Sequence, residues 1–155
     1  MGEYWVKIDS KGRMKLPKDL LLQLNKSTAF PMVVSRGYKR NLSLYLKDVW
    51  EEKAKKYKKY DLDNELERDI VRFFYKGATR VMPDNTDRIL LPKPLLEWAG
   101  IKKNAVIYAY LDVIEIWDAE TYDKSWDKKP QTMDDYIKKR KEVEEKKSEK
   151  TESNE

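Results

Sequence analysis

The chain contains no cysteine and no histidine among its 155 residues. Without cysteine there is no disulfide, no thiol nucleophile and no thiolate metal site. Without histidine the commonest general base and the commonest transition-metal ligand are both missing. Carboxylates are plentiful but scattered over predicted helices and turns, with no phosphate-cradling glycine loop and no metal-ligand spacing. No catalytic residues, no metal, no cofactor and no small-molecule substrate are therefore expected. No apolar run approaches the roughly 18 residues of a membrane span. Met1-Gly2-Glu3-Tyr4 lacks the basic and apolar regions of a signal peptide. A cytoplasmic protein with no membrane partner is the expectation.

What is present is charge. Charged residues make up 39% of the chain and hydrophobic ones 40%, so a core coexists with a heavily solvated segment. The net charge is +5, and its distribution is uneven. Residues 1–46 hold nine basic and three acidic side chains, whereas residues 127–155 hold nine of each. Basicity concentrated at one end suits a polyanion partner, though ordinary solubility charge also accounts for it.

A repeat decides the architecture. Ile8-Asp9-Ser10-Lys11-Gly12-Arg13-Met14-Lys15-Leu16-Pro17 returns as Pro83-Asp84-Asn85-Thr86-Asp87-Arg88-Ile89-Leu90-Leu91-Pro92. Asp9 matches Asp84, Arg13 matches Arg88 and Pro17 matches Pro92.

In the first unit, Tyr4 to Ile8 alternates as a strand, with Tyr4, Val6 and Ile8 on the core face. Gly12 supplies a positive φ in the turn. A simple hairpin would pair Ile8 with Met14 and Val6 with Leu16, and would set Lys7 opposite Lys15. Like charges so placed are destabilising, so the face is built to meet an anion or its lysines splay into water. A helix from Lys18 to Leu24, ended by Asn25-Lys26-Ser27, and strands Phe30–Ser35 and Leu42–Leu46 follow. Two helices come next, Lys47–Tyr60 with a Trp50, Ala54 and Tyr57 stripe, and Asn64–Lys76 with Leu66, Ile70, Phe73 and Phe74 facing a core. The second unit repeats the order: strands Ala78–Met82 and Arg88–Leu91, helix Lys93–Ala99, strands Ala105–Leu111 and Val113–Trp117, and helix Ala119–Trp126. The offset of 75 at the turns becomes 72 at Leu42/Ile114, which predicts three extra residues within Lys26–Asn41. Neither unit has enough apolar surface to stand alone, so the two should share one core. Residues 133–155 read as a solvated helix fraying into a disordered end.

The doubled Asp-x-x-x-Arg turn, each copy followed by proline and a Leu-rich helix, resembles the MraZ family of tandem SpoVT–AbrB-type units. Ser35-Arg36-Gly37-Tyr38, Leu42-Ser43-Leu44-Tyr45 with Trp50, and Val113-Ile114-Glu115-Ile116-Trp117 agree with it. The resemblance covers roughly residues 2–126. It implies an α+β fold: a pseudo-two-fold swapped-hairpin β-barrel made from two repeats, with connecting helices and a charged tail. The expected divisions are 3–50 and 78–124 for the repeats, 51–77 for the linker and 125–155 for the tail. It also implies a sequence-specific DNA-binding transcriptional regulator. Such a protein acts at promoter direct repeats before a division and cell-wall gene cluster that includes its own gene. It would be nucleoid-associated and would assemble as a homo-oligomeric ring on double-stranded DNA. The alternative is an antitoxin-like, protein-binding oligomer with little DNA role.

The second turn departs from the first in chemistry. Lys7, Gly12 and Lys15 are matched by Met82, Asp87 and Leu90. Candidate DNA-binding residues are Lys7, Lys11, Arg13, Lys15 and Arg88, with Asp9, Gly12 and Asp84 as turn or orienting residues. Arg13 is the candidate for a guanine edge, since its fork can bond O6 and N7 together; the lysines would hold phosphates. A purely structural ion pair with Asp9 is the competing role for Arg13. Arg88 would be held by Asp84 or Asp87. The expected division of labour gives DNA to the first turn and assembly to the second. Met82 and Leu90 would then meet another protein surface, unless the chain's own linker helices cover them.

Overall fold

A computed structural model describes residues 1–25 and 30–154. The start of the stretch expected to hold extra residues, and the expected helix end at Lys26-Ser27, lie outside the described residues. Two compact units divide the chain, Met1–Tyr122 and Asp123–Glu155.

The first unit is α+β and antiparallel. Its strands are β1 (Gly2–Lys7), β2 (Arg13–Lys15), β3 (Met32–Arg36), β4 (Leu42–Leu46), β5 (Thr79–Val81), β6 (Arg88–Leu90), β7 (Asn104–Tyr110) and β8 (Val113–Asp118). Between them run α1 (Lys18–Gln23), α2 (Lys47–Lys55) with a 3-10 turn at Lys56–Lys59, α3 (Glu65–Tyr75) and α4 (Lys93–Ala99). Helix α5 (Ala119–Ser125) follows β8.

Six strands form one sheet in the order β1-β7-β8-β4-β3-β5. By the repeat, β5 corresponds to β1, β3 to β7 and β4 to β8, so the order is palindromic. The registers obey the same symmetry: Tyr4 faces Ile107 as Thr79 faces Val34, and Val6 faces Ala105 as Val81 faces Met32. That pairing sets Met32 against Ala105 at an offset of 73, while Leu42 still matches Ile114. One extra residue therefore lies in the Gly37–Asn41 turn, and the other two precede Met32.

The two remaining strands, β2 and β6, pair only with each other. This corrects two expectations. Ile8 does bridge Met14, but Val6 pairs with Ala105 rather than Leu16, and Lys7 with Asn104 rather than Lys15. The sheet is also not closed into a barrel. After each Asp-x-x-x-Arg turn the chain leaves its edge strand and crosses to its counterpart, so β1 and β5 remain edges. Burial rewards the crossing, because Met14, Leu16, Ile89 and Leu91 are all sealed to within 1% exposure. Removing four such apolar side chains from water stabilises by about 1.5–3 kcal/mol each. One core cluster draws on both repeats, from Ile8, Met14 and Leu20 to Ile89, Leu95 and Ile116.

The outer sheet face is covered in patches. Val106, Trp117 and Tyr122 pack together there, and the Tyr122 hydroxyl bonds Glu3 on β1. Helices α2 and α3 meet through stacked rings, with Phe74 at 4.6 Å from Trp50 and 4.2 Å from Tyr57. Asn64 caps α3 by accepting from Glu67 N–H, and Gly77 past its end takes φ 80°. The rest of the α3 stripe corrects the expected burial. Leu66, Ile70 and Phe73 are exposed, Leu66 to 70%.

In the second unit, α6 (Met133–Ser153) stays helical to Ser153 instead of fraying. Its side chains are exposed, so packing is not the cause. Thr132 accepts from Asp135 N–H at 3.1 Å, Asp134 and Asp135 sit at the positive end of the helix dipole, and Arg140 reaches Glu144 at 3.2 Å. No described helix is long and apolar enough to cross a membrane.

Candidate nucleic-acid interface

The two turns are built alike. Asp9 Oδ1 accepts the backbone N–H of Lys11 and of Arg13, each at 2.9 Å, and its Oδ2 takes Arg13 Nε at 2.7 Å. Asp84 Oδ1 accepts from Thr86 N and Oγ1 at 2.9 Å and from Arg88 N at 3.0 Å, and its Oδ2 takes Arg88 Nε at 3.2 Å. Aspartate suits this position because one short carboxylate can satisfy turn amides and orient an arginine together. The Arg13 backbone N–H, more than any other contact, holds the Asp9 carboxyl below its ordinary range. For Asp84 the Arg88 N–H leads and the Thr86 N–H follows, lowering its pKa to about 2.

Gly12 adopts φ 87° and Asp87, its counterpart, φ 60°. Aspartate tolerates this region better than most residues. At Gly12 a Cβ would also stand 3.0 Å from the Leu91 carbonyl oxygen. Both backbones close on the other repeat: Leu16 N–H donates to Asp87 O at 2.8 Å, and Leu91 N–H to Gly12 O at 2.9 Å.

The β2–β6 ribbon puts three of the candidate residues, Arg13, Lys15 and Arg88, on one face. Met14 opposes Ile89 on the buried side. On the outer side Arg13 opposes Leu90, and Lys15 opposes Arg88. Lys11 and Lys15 are exposed, and Lys7 is exposed where β1 enters the turn. Among the described residues the Arg13 side chain bonds only Asp9, through Nε, so its terminal nitrogens point elsewhere. Arg88 is held by Asp84 in the same way. The ion pair therefore does not separate the two arginines; their neighbours do.

Two features were not read from the sequence. Leu90 lies directly across from Arg13, so the apolar residue expected to meet another protein surface shares the arginine's own face. The carbonyl of Lys103 accepts the Ile8 N–H at 2.7 Å, which adds an exposed lysine beside the first turn. The sequence places Lys103 directly before a strand, and only cross-repeat pairing brings it here. Met82 and Leu90 are 57% and 58% exposed, so the linker helices do not cover them. No group of three or more potential metal ligands occurs among the described residues.

Comparison with known proteins agrees with the doubled geometry. The family model described as "MraZ protein, putative antitoxin-like" matches twice, over residues 1–73 and 74–151. A protein of Flavobacterium psychrophilum named "Transcriptional regulator MraZ" is 34% identical over 128 residues, covering 82% of each chain. With both repeats matched, the chain belongs to the MraZ family.

Proposed function

We propose that this chain is a sequence-specific DNA-binding transcriptional regulator. The outer face of the β2–β6 ribbon carries the reading. It presents Arg13, Lys15 and Arg88 together, flanked by Lys7 and Lys11, on a backbone fixed by two aspartates and a buried Met14–Ile89 pair. A two-stranded ribbon fits the major groove, where an arginine fork discriminates guanine by about 1–3 kcal/mol. The lysines hold phosphates and set the register. The relative's name as a transcriptional regulator supports the same role.

One ribbon makes few phosphate contacts, so useful affinity requires linked copies. The chain assembles as a homo-oligomeric ring, and each copy places its ribbon on one of a set of promoter direct repeats. The exposed Leu62, in the turn before α3, and Leu66, in its first turn, supply an apolar contact for that assembly. The site of action is the cytoplasm, at the nucleoid, on the promoter of a division and cell-wall gene cluster that includes its own gene. Footprinting the protein on the DNA upstream of its own gene tests this. Protection of evenly spaced repeats is expected, and uniform or absent protection contradicts it.

A further inference from the structure

On the outer face of the sheet, away from the ribbon, lies a cleft of about 620 Å³. That volume is in the range that holds small organic ligands, roughly 300–1,000 Å³. Ser43, Tyr45 and Glu115 from β4 and β8 line it from the sheet, and Tyr57, Phe73 and Phe74 from the linker helices line it opposite. Flat aromatic surfaces therefore dominate its lining.

Its charges are unequally matched. Both carboxylates are already engaged. Glu115 accepts the Tyr110 hydroxyl at 2.8 Å and the Trp117 indole N–H at 2.9 Å, and Asp69 accepts from Arg72 at 3.5 Å. Burial, then the bond to Glu115, pushes the Tyr110 hydroxyl up to about 12, so it remains a donor at neutral pH. The two cations have no carboxylate partner among the described residues. The Arg36 guanidinium lies over two adjoining rings, 5.3 Å from Phe73 and 4.9 Å from Trp98, and its Nε is buried with no acceptor. Lys53 stands 5.5 Å from the Tyr45 ring. Aromatic faces offset part of that positive charge, but a buried donor without an acceptor remains costly.

We infer that this cleft is a binding site for a small aromatic carboxylate. Its ring would pack against Tyr45 and the exposed Phe73, since Phe74 is already stacked between Trp50 and Tyr57, and its carboxylate would meet Lys53 and the terminal nitrogens of Arg36. The inference is independent of DNA recognition. Leu62 and Leu66, assigned above to assembly, are not among the residues lining the cleft.

Titration of the full chain, without DNA, with 2-naphthoate tests it, using calorimetry or tryptophan fluorescence. One site per chain is expected. The neutral isostere 2-naphthamide should bind about tenfold more weakly, in keeping with a lost charge-assisted bond, and inorganic phosphate alone should not bind measurably. Arg36→Gln and Lys53→Gln should each weaken 2-naphthoate about tenfold. Lys53 is exposed, so that variant keeps the test open should Arg36→Gln misfold. No binding at millimolar 2-naphthoate, equal binding of the amide, or undiminished binding by Lys53→Gln overturns the inference. So does an affinity that falls as protein concentration rises, which would mean that a second copy fills the cleft.

Discussion

Arg13 and Leu90 face each other across the two-stranded ribbon, although they come from different repeats. Leu90 is 58% exposed, so it forms part of the surface that Arg13 presents. Leu90→Glu should therefore weaken DNA binding at least tenfold, by placing a carboxylate beside the arginine and against phosphate. Met82→Glu lies off the ribbon and should weaken it less. Fluorescence anisotropy with promoter DNA at fixed salt distinguishes them.

Arg88 is oriented by Asp84 as Arg13 is by Asp9, and it opposes Lys15 on the same face. From the sequence, Arg88 is a DNA-binding candidate within the turn expected to serve assembly. Its position makes it a contributor to DNA binding, so Arg88→Ala should weaken binding measurably without changing the oligomer. A change in sedimentation with binding intact would give Arg88 an assembly role instead.

Asp84 titrates about 2 when folded, below an ordinary aspartate near 4. A depressed folded value means stability that is present above the unfolded pKa and lost as pH falls through the folded one. Asp9 is shifted in the same direction. Stability should thus decline between pH ~4 and ~2. Asp84→Asn should flatten that decline in denaturant titrations taken at successive pH values.

Gly12 combines φ 87° with a carbonyl oxygen 3.0 Å from where a Cβ would sit. Gly12→Ala should cost about 1–2 kcal/mol, from left-handed strain alone before any shift of Leu91. Ile89→Ala, beneath the ribbon at 0% exposure, should cost more, about 2–5 kcal/mol. Urea midpoints, at unchanged m-value, check both.

The fold was legible where local chemistry decides it. Alternation at Tyr4, Val6 and Ile8 gave the inner face of β1, and Asn64, Gly77 and Gly100 marked helix ends, with Gly100 at φ 66°. The Asp9–Arg13 spacing gave the turn that the structure shows. Pairing partners were not legible, because the pattern that pairs Val6 with Leu16 serves equally well for Val6 with Ala105. Burial of Met14, Leu16, Ile89 and Leu91, with the Leu16–Asp87 and Leu91–Gly12 backbone bonds, selects the crossing, and those are long-range terms. Exposure of the α3 stripe was hidden for a similar reason: periodicity shows that Leu66, Ile70 and Phe73 share a face, but not what covers it. The tail misled in the opposite sense. Its few apolar residues suggested fraying, yet the Thr132 cap and the Arg140–Glu144 pair support a helix without a core.

The ribbon's role in DNA recognition is most directly tested by Arg13→Ala. Anisotropy with the DNA upstream of the chain's own gene, and with scrambled DNA of equal length, should show wild-type preference for the first, falling steeply with salt. In Arg13→Ala that preference should vanish while weak, salt-sensitive binding to both persists. Undiminished preference in Arg13→Ala would mean that the ribbon does not read the sequence.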